Sequence, residues 1–378
     1  MKAVVVRRLG GPDVLQIEDV PEPEPGPGEL AIAVEFVGVN FTDVRNRVGD
    51  GLGIVPFIPG VEVSGTVCRT GAGVDRFAVG QRVAAFTRGH SYAEVAIAAE
   101  GFTVALPDAF AGEPQAGGML VTVPLAVNVL ERAARVRPGE TVLLHAAAGG
   151  VGSVVGQLLS AVGGVTLFGT VGDLAKADFA RRHGYQEVMT YADFDHRVSE
   201  LTDGKGVDVV LDPIGGEVQA RSLELLAPFG RLVSYSNISR KAQTLPDAEW
   251  MRARCVGFVG LSNGQLSARA PQLVREGLER AAELVISGTV DIEVTAVLPL
   301  AQAAEAHRAF ENRSAVGKFS PGRVTRSKPI SARRRSMGRV RRVPARTGCS
   351  APSARARSER SRTRPGCYAA AADRRTSG

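Results

Sequence analysis

The sequence predicts an α/β protein in which a domain of short strands precedes a doubly wound parallel sheet. Residues 1–110 contain many short apolar runs separated by glycine and proline, which is typical of a compact, mostly β domain. Residues 141–172 have the pattern strand, glycine turn, helix, strand. The alternation of strands and helices then continues, which favours a parallel sheet with helices on both faces.

The strands of the first domain are predicted from apolar runs and from period-two alternation. They cover residues 3–6, 15–20, 29–37, 60–68, 81–86 and 93–98. Residues 21–28, PEPEPGPG, form a stiff connector because proline fixes the backbone.

The segment 141–172 contains the most informative local pattern. Its first four residues predict a buried strand and residues 153–162 a helix. Between them, Ala147-x-Gly149-x-x-Gly152 approaches the fingerprint G-x-G-x-x-G, with alanine in the first place. Such glycines let the backbone approach a pyrophosphate, and the start of the following helix attracts the anion. The segment predicts a dinucleotide site, with an ordinary strand–helix turn as the alternative.

The remaining elements are predicted from the same periodicities. We expect helices at residues 120–135, 176–183, 195–201, 218–226, 271–287 and 300–311. We expect strands at residues 165–168, 187–190, 207–211, 231–235 and 294–298, and a last strand from residue 317 that is cut short at Pro321.

Composition indicates a globular protein with two domains. The chain has 378 residues, of which 44% are hydrophobic and 22% are charged. Residues 141–172 contain no Asp, Glu, Lys or Arg, but their glycines favour a buried β-α-β unit over a membrane span. The N-terminus, MKAVVVRRLG, does not resemble a signal peptide. We therefore expect a cytoplasmic protein that does not contact membranes.

The C-terminal residues differ in character from the rest. Residues 321–378 contain 17 Lys or Arg and 2 Asp or Glu, whereas residues 1–320 contain 29 and 37. This tail lacks an apolar period, so we predict that it is disordered. Non-specific contact of its charges with nucleic acid is the less favoured alternative to a passive tail. A further hypothesis is that the tail is the product of a frameshift, which the nucleotide sequence would test.

The four cysteines suggest neither a disulfide framework nor a zinc site. They are Cys68, Cys255, Cys349 and Cys367, and they show no CxxC or Cys/His ligand spacing. We expect reduced thiols.

Several motifs resemble the zinc-independent quinone oxidoreductase (zeta-crystallin-like) family of the medium-chain dehydrogenase/reductase superfamily. They are GVNFTDV at residues 38–44, IPGVEVSG at 58–65, VGQRV at 79–83, YAEVA at 92–96, RPGETVLLHAAAGGVGSVVGQLLS at 137–160, LDPIGGE at 211–217 and GRLVSYS at 230–236. The resemblance covers about residues 1–319. It implies a GroES-like catalytic domain at residues 1–120, completed by about 265–320, a Rossmann domain that binds NADPH at 121–264, and a homodimer.

The resemblance also bears on zinc. Zinc-containing members of the superfamily have Cys and His where this chain has Asn40 and Val61. Neither supplies the thiolate or imidazole that zinc prefers, so we predict no metal.

The cofactor prediction rests on the end of the second strand. Sites for NADH usually have an acid there, but residues 169–172 are GTVG, and Asp173 is expected to cap the next helix. The resemblance implies that Lys176 and Tyr191 bind NADPH, which we favour over NADH. A solvated lysine and a surface tyrosine are the alternatives. The predicted cofactor-binding residues are Asn40, Ala147, Gly149, Gly150, Val151, Gly152, Gly172, Lys176, Tyr191, Ser236 and Asn237.

The reaction expected from the family is hydride transfer to a quinone or an α,β-unsaturated carbonyl. Asn40 is the predicted catalytic residue, with simple helix capping as its alternative role. Arg45, Arg47 and Tyr92 are further candidates for the cleft, each more readily explained as structural. Rival functions are an enoyl-thioester reductase and a nucleotide-binding protein with little turnover.

Overall fold

Short strands dominate the N-terminal third of the chain in the computed structural model, which describes residues 1–51, 53–242, 245–312 and 315–322. The strands are β1 (Lys2–Val6), β2 (Leu15–Asp19), β3 (Glu29–Val37), β4 (Glu62–Thr70), β5 (Arg82–Phe86), β6 (Val95–Ala99) and β7 (Thr103–Ala105). One helix, α1 (Phe41–Val48), follows β3 and ends at Gly49, whose left-handed backbone suits glycine.

Strands and helices alternate through the middle of the chain. The first helix, α2 (Met119–Val127), continues into a π-helical segment, Asn128–Ala134. The strands are β8 (Thr141–His145), β9 (Thr166–Val171), β10 (Glu187–Thr190), β11 (Val207–Asp212), β12 (Leu226–Ser234) and β13 (Gly257–Gly260). The helices are α3 (Gly150–Val162), α4 (Ala177–Arg182), α5 (Phe194–Leu201), α6 (Gly216–Leu223), α7 (Ala248–Arg254) and α8 (Asn263–Arg269).

The last described part of the chain returns to the first sheet. It contains α9 (Pro271–Ile286), β14 (Val294–Pro299), α10 (Ala303–Glu311) and β15 (Lys318–Gly322). The β-rich sheet has the strand order β14-β15-β3-β4-β5-β7, with β6 paired to β3, while β1 and β2 form a separate pair.

The second large sheet has the order β10-β9-β8-β11-β12-β13, and all of its pairings are parallel. Because β8 has β9 on one side and β11 on the other, the strand order reverses there, and ligands bind at such a point beyond the carboxyl ends of the strands. The predicted doubly wound sheet beside a β-rich domain is confirmed.

Close packing explains a glycine of α3. A Cβ on Gly156 would lie 2.0 Å from the carbonyl oxygen of His183, so only glycine lets α3 approach the segment before β10.

Two predicted boundaries were wrong. The helix predicted at residues 218–226 ends at Leu223, because Leu226 pairs with Val207 and begins β12. The tail was predicted from residue 321, but Pro321 and Gly322 pair with β14 and belong to β15. The prediction of disorder for the remaining tail falls on residues outside the described ones.

No helix in the described ranges is both long and apolar enough to cross a bilayer.

Two histidines are buried among neutral or cationic partners. His145, at the end of β8, contacts the hydroxyls of Thr170 and Ser222 at 2.9 and 2.7 Å. His307, in α10, accepts from Arg47 Nε at 3.2 Å, which leaves the proton of the neutral ring on Nε2. Burial lowers the pKa of each histidine to about 3, and a nearby arginine adds to the effect.

The buried histidines predict loss of stability in acid. Their pKa in the folded state lies below the unfolded value of about 6.5, so the unfolded chain binds more protons between about pH 3 and 6.5 and stability falls as pH falls. Asp43 acts in the opposite direction, because burial raises its pKa to about 7. We expect His307→Gln to reduce the slope of unfolding free energy against pH by about 1.4 kcal/mol per unit near pH 5.

Urea unfolding at several pH values measures this slope. Glutamine keeps an acceptor for Arg47, so the variant tests the charge rather than the hydrogen bond. Exposed His196 is the matched control, because His196→Gln removes a histidine whose ring is not buried. Equal slopes for wild type and His307→Gln would contradict the assignment.

Candidate active site

The glycine loop between β8 and α3 has the backbone of an anion site. Helix α3 begins at Gly150 after the N-cap Gly149, and no side chain caps its first N–H groups. Those N–H groups have no acceptor within the helix, and together with the helix dipole they attract an anion. Gly152 must be glycine, because a Cβ there would lie 2.5 Å from the carbonyl oxygen of Ala147.

Two neighbouring strands hold this loop in place. The amide of Ala147 donates to the carbonyl oxygen of Thr170 in β9 at 2.9 Å. The amide of Ala146 donates to the hydroxyl of Tyr191, just after β10, at the same distance. Tyr191, which was predicted to bind NADPH, therefore supports the glycine loop through its hydroxyl.

The end of β9 places Lys176 against the C-terminal segment. Asp173 accepts from the amide of Ala175 at 2.9 Å, so it caps the next turn as expected. Lys176 Nζ donates to the carbonyl oxygen of Ala315 at 3.0 Å, and burial lowers the pKa of this lysine. Gly172 has open space around its Cα.

A buried ion pair lies beside the loop. Lys318 Nζ, at the start of β15, lies 2.7 Å from Glu62 Oε1 at the start of β4. The two side chains are 4% and 1% exposed. The other carboxylate oxygen, Oε2, accepts from the amide of Val121 at 3.0 Å in the first turn of α2, where the helix dipole favours an anion.

The ion pair fixes the amide of Asn40. Lys318 Nζ donates to Asn40 Oδ1 at 2.6 Å, and Asn40 Nδ2 donates to Glu62 Oε1 at 2.9 Å and to the carbonyl oxygen of Gly38 at 3.2 Å. Both hydrogens of the amide are thus used, and only Oδ1 retains accepting capacity. Asn40 is also the N-cap residue of α1, where its backbone amide donates to the carboxylate of Asp43 at 2.9 Å.

The space around the pair is closed by glycines. A Cβ on Gly38 would lie 2.2 Å from Glu62 Oε1, and one on Gly118 would lie 2.8 Å from Lys318 Cγ. The close contact keeps water from the pair and holds both side chains in one geometry.

Thr122 and Gly317 join this cluster to the glycine loop. Lys318 Nζ donates to Thr122 Oγ1 at 3.2 Å, and that hydroxyl lies 3.6 Å from where a Cβ on Gly150 would be. The amide of Gly317 donates to the carbonyl oxygen of Ala148 at 3.1 Å. The structure therefore brings Asn40 and the predicted loop residues to one place.

A cavity of about 680 Å³ lies at the carboxyl ends of β12 and β13. Ser236 and Asn237, both predicted cofactor residues, line it together with Arg45 of α1. Asn237 is tied to its own loop, since its Nδ2 donates to the carbonyl oxygen of Lys241 at 2.9 Å.

Two other cleft candidates lie in the core of the β-rich domain. Arg47 and Tyr92 are 0% exposed, and both contact His307. Arg47 also pairs with Glu311. These contacts give both residues a structural role, as the sequence favoured.

Glu62, Thr122 and Lys318 were missed as site residues. The motif containing Glu62 and the strand containing Lys318 were both recognised, but only the fold shows that they meet. The signal in the sequence was a lysine at the start of a buried strand, since lysine is rarely buried without a partner.

Within the described ranges, no group of three or more His, Cys, Asp and Glu side chains is placed to hold a metal ion. The donors near Asn40 do not fit zinc. They are an amide and a carboxylate that already bind an ammonium group, and zinc prefers thiolate and imidazole.

The ion pair predicts a large loss of stability on removal of one partner. Lys318→Met would leave the carboxylate of Glu62 buried without its counter-charge, so we expect the free energy of unfolding to fall by about 3–5 kcal/mol. The double variant Glu62→Gln, Lys318→Met is expected to recover a large part of this loss. Urea unfolding of the single and double variants measures the coupling.

The matched control is the exposed pair of Lys2 and Asp19, whose nitrogen and oxygen lie 2.6 Å apart. Lys2→Met is expected to cost less than about 1 kcal/mol. If the double variant loses as much as the two single variants together, the two side chains are not coupled.

Comparison with known proteins agrees with this architecture. The alcohol dehydrogenase GroES-like domain family matches residues 26–126, and the zinc-binding dehydrogenase family matches residues 183–319. A quinone oxidoreductase of Pseudomonas aeruginosa is 36% identical over 322 residues, which cover 84% of this chain and 98% of that protein. A 2-haloacrylate reductase of a Burkholderia species is 32% identical, with coverage of 84% and 97%.

A solved structure extends the comparison to the whole fold. A mycobacterial protein complexed with NADPH is 33% identical, with a TM-score of 0.78 and coverage of 85% of this chain and 100% of that one. The chain is therefore an oxidoreductase that belongs to the quinone oxidoreductase family of the medium-chain dehydrogenase/reductase superfamily.

Proposed function

We propose that this protein transfers hydride from NADPH to a quinone or an α,β-unsaturated carbonyl compound without a metal. The observation that carries the proposal is that Thr122 and Gly317 join the glycine loop to the cluster of Asn40, Glu62 and Lys318. The relatives named a quinone oxidoreductase and a 2-haloacrylate reductase support this class of acceptor.

The preference for NADPH follows from the end of β9. Residues 169–172 offer no carboxylate for a ribose hydroxyl, and Asp173 is engaged in capping. Lys176 is the cation nearest in sequence, and an ammonium group suits a 2′-phosphate. The similar mycobacterial structure contains NADPH.

In this function the cofactor, the start of α3 and Asn40 have separate roles. NADPH, when bound, supplies the hydride from its nicotinamide ring. The first N–H groups of α3 would hold the pyrophosphate, and Asn40 Oδ1 would accept a hydrogen bond from a bound amide or hydroxyl. Because Glu62 and Lys318 fix that oxygen, the ligand is oriented without reorganisation of the protein. The proton that completes the reduction comes from solvent.

Absence of zinc is part of the proposal. A conjugated acceptor needs orientation and polarisation of its oxygen, whereas an unactivated alcohol needs a Lewis acid or a proton relay. Lys318 places a positive charge beside Asn40 and Glu62, which disfavours a second cation there.

The proposal also includes the site residues, the domain limits, the homodimer and the location. We propose Asn40 as the catalytic residue and the eleven cofactor residues named above as the binding site. The domain limits 1–120, 121–264 and about 265–320, the homodimer and the cytoplasmic location belong to the same proposal.

Two alternative functions predict different results in the same assay. An enoyl-thioester reductase would reduce acyl thioesters faster than quinones or simple enones. A nucleotide-binding protein with little turnover would bind NADPH saturably but would not oxidise it, whichever acceptor is supplied.

The test is consumption of NADPH and of NADH with a panel of quinones, enones and enoyl thioesters. We expect NADPH to be preferred. Lys176→Ala is expected to lower kcat/KM for NADPH about tenfold or more, because a charge-assisted hydrogen bond to phosphate is lost, and to leave kcat/KM for NADH unchanged.

The control is Lys205→Ala, a lysine whose side chain is 82% exposed after α5. It is expected to keep the wild-type ratio between the two cofactors. Equal losses with both cofactors in the Lys176 variant would show that this lysine does not recognise the 2′-phosphate.

A further inference from the structure

The cavity at the ends of β12 and β13 has an unusual balance of charge. Arg45 and Arg269 both line it, and none of the described residues that line it is acidic. Its other walls include the hydroxyls of Ser236 and Ser262 and the apolar side chain of Leu261. The cavity therefore combines cationic, polar and apolar surface.

Neither arginine is neutralised by the rest of the described chain. Arg45 donates from one guanidinium nitrogen to the backbone carbonyl of Asp50 at 2.8 Å, and its Nε is buried without an acceptor. Arg269 lies exposed at the end of α8 and has no carboxylate partner within the described residues. By contrast, nearby Arg240 pairs with Asp50 at 3.0 Å.

An arginine that lines a cavity and has no carboxylate partner can give a bound anion a charge-assisted hydrogen bond. A ligand with a negative charge would therefore gain one such contact from the part of Arg45 that lines the cavity and a second from Arg269. The two side chains reach the cavity from different parts of the fold, since Arg45 lies in α1 of the β-rich domain and Arg269 follows the parallel sheet.

The cofactor phosphates are poorly placed to be that anion. The glycine loop follows β8, whereas the cavity lies at β12 and β13. Because β11 and β12 separate β8 from β13, and neighbouring strands lie about 4.8 Å apart, the end of β13 is about 14 Å from the end of β8.

We propose that Arg45 and Arg269 bind an anionic group of the acceptor, so that the enzyme selects conjugated acceptors that carry a negative charge. This inference rests on the proposed function and adds the substrate class. Two sources of the charge share this chemistry. One is an acid group on a small quinone or enone, and the other is the phosphate of a coenzyme A thioester.

The test compares charged acceptors with neutral counterparts. The pairs are 1,4-naphthoquinone-2-sulfonate with 1,4-naphthoquinone, and crotonyl-coenzyme A with crotonyl-pantetheine. We expect Arg45→Gln and Arg269→Gln each to lower the ratio of kcat/KM between charged and neutral members about tenfold in at least one pair, through KM. The pair that responds identifies the source of the charge.

The matched control is Arg275→Gln. Arg275 is an exposed arginine of α9 outside the cavity lining, and its replacement changes the net charge by the same amount. We expect wild-type ratios in this variant. Added salt is expected to weaken the preference for charged acceptors in wild type, because it screens the attraction.

A binding experiment separates this inference from the proposed function. Naphthalene-2-sulfonate and the neutral naphthalene-2-sulfonamide are titrated into enzyme saturated with NADP⁺. We expect the Kd of the sulfonate to rise about tenfold in either arginine variant and that of the sulfonamide to stay constant. If no acceptor is reduced but this result holds, the proposed function fails and the anion site stands.

Two results would overturn the anion site. One is an equal effect of the variants on charged and neutral compounds. A wild-type enzyme that binds neither the sulfonate nor the sulfonamide counts as the same result. The other is a rise in the Kd of NADPH with no change in the charged-to-neutral ratio, which would assign the arginines to the cofactor.

Discussion

The buried pair of Glu62 and Lys318 is the interaction on which the candidate site depends. It joins the beginning of β4 to the beginning of β15, and through Val121 it also anchors the first turn of α2. An isolated charge at such depth would be strongly unfavourable. Each partner is tolerable only because the other is present, so the pair ties the end of the described chain to its first domain. The same contacts set the orientation of Asn40.

This arrangement limits what Asn40 can do. An asparagine with free N–H groups could donate to a substrate oxygen, but here both hydrogens are used within the protein. What remains is a fixed acceptor, which suits orientation of a bound group better than proton transfer. The reaction class then follows from chemistry that needs positioning more than acid catalysis. A conjugated acceptor meets that condition because its double bond is already electron-poor.

Short sequence patterns predicted those parts of the site that are built from residues close together in the chain. The loop from Ala147 to Gly152 was recognised because glycine spacing, strand and helix lie together in sequence, and the cap at Asp173 followed from the same logic. The contact of Glu62 with Lys318 joins distant parts of the chain, and its existence depends on how β15 enters the sheet. Periodicity identifies the strand but not its neighbour. Arg269 was missed for a related reason, because α8 was not among the predicted helices.

The site has two charged regions, one buried in the interior and one at the wall of the cavity. In the interior, Lys318 is matched by Glu62, so the cluster adds little net charge where the cofactor would bind. At the cavity wall, Arg45 and Arg269 have no such match. A neutral interior leaves the electron-poor carbon of the acceptor exposed to hydride, whereas unpaired cations at the wall can attract the acceptor through a group remote from that carbon. Binding energy from a remote anion can be used to hold the reacting atoms in place. In the function that we propose, the cluster orients the reacting groups and the two arginines select the acceptor.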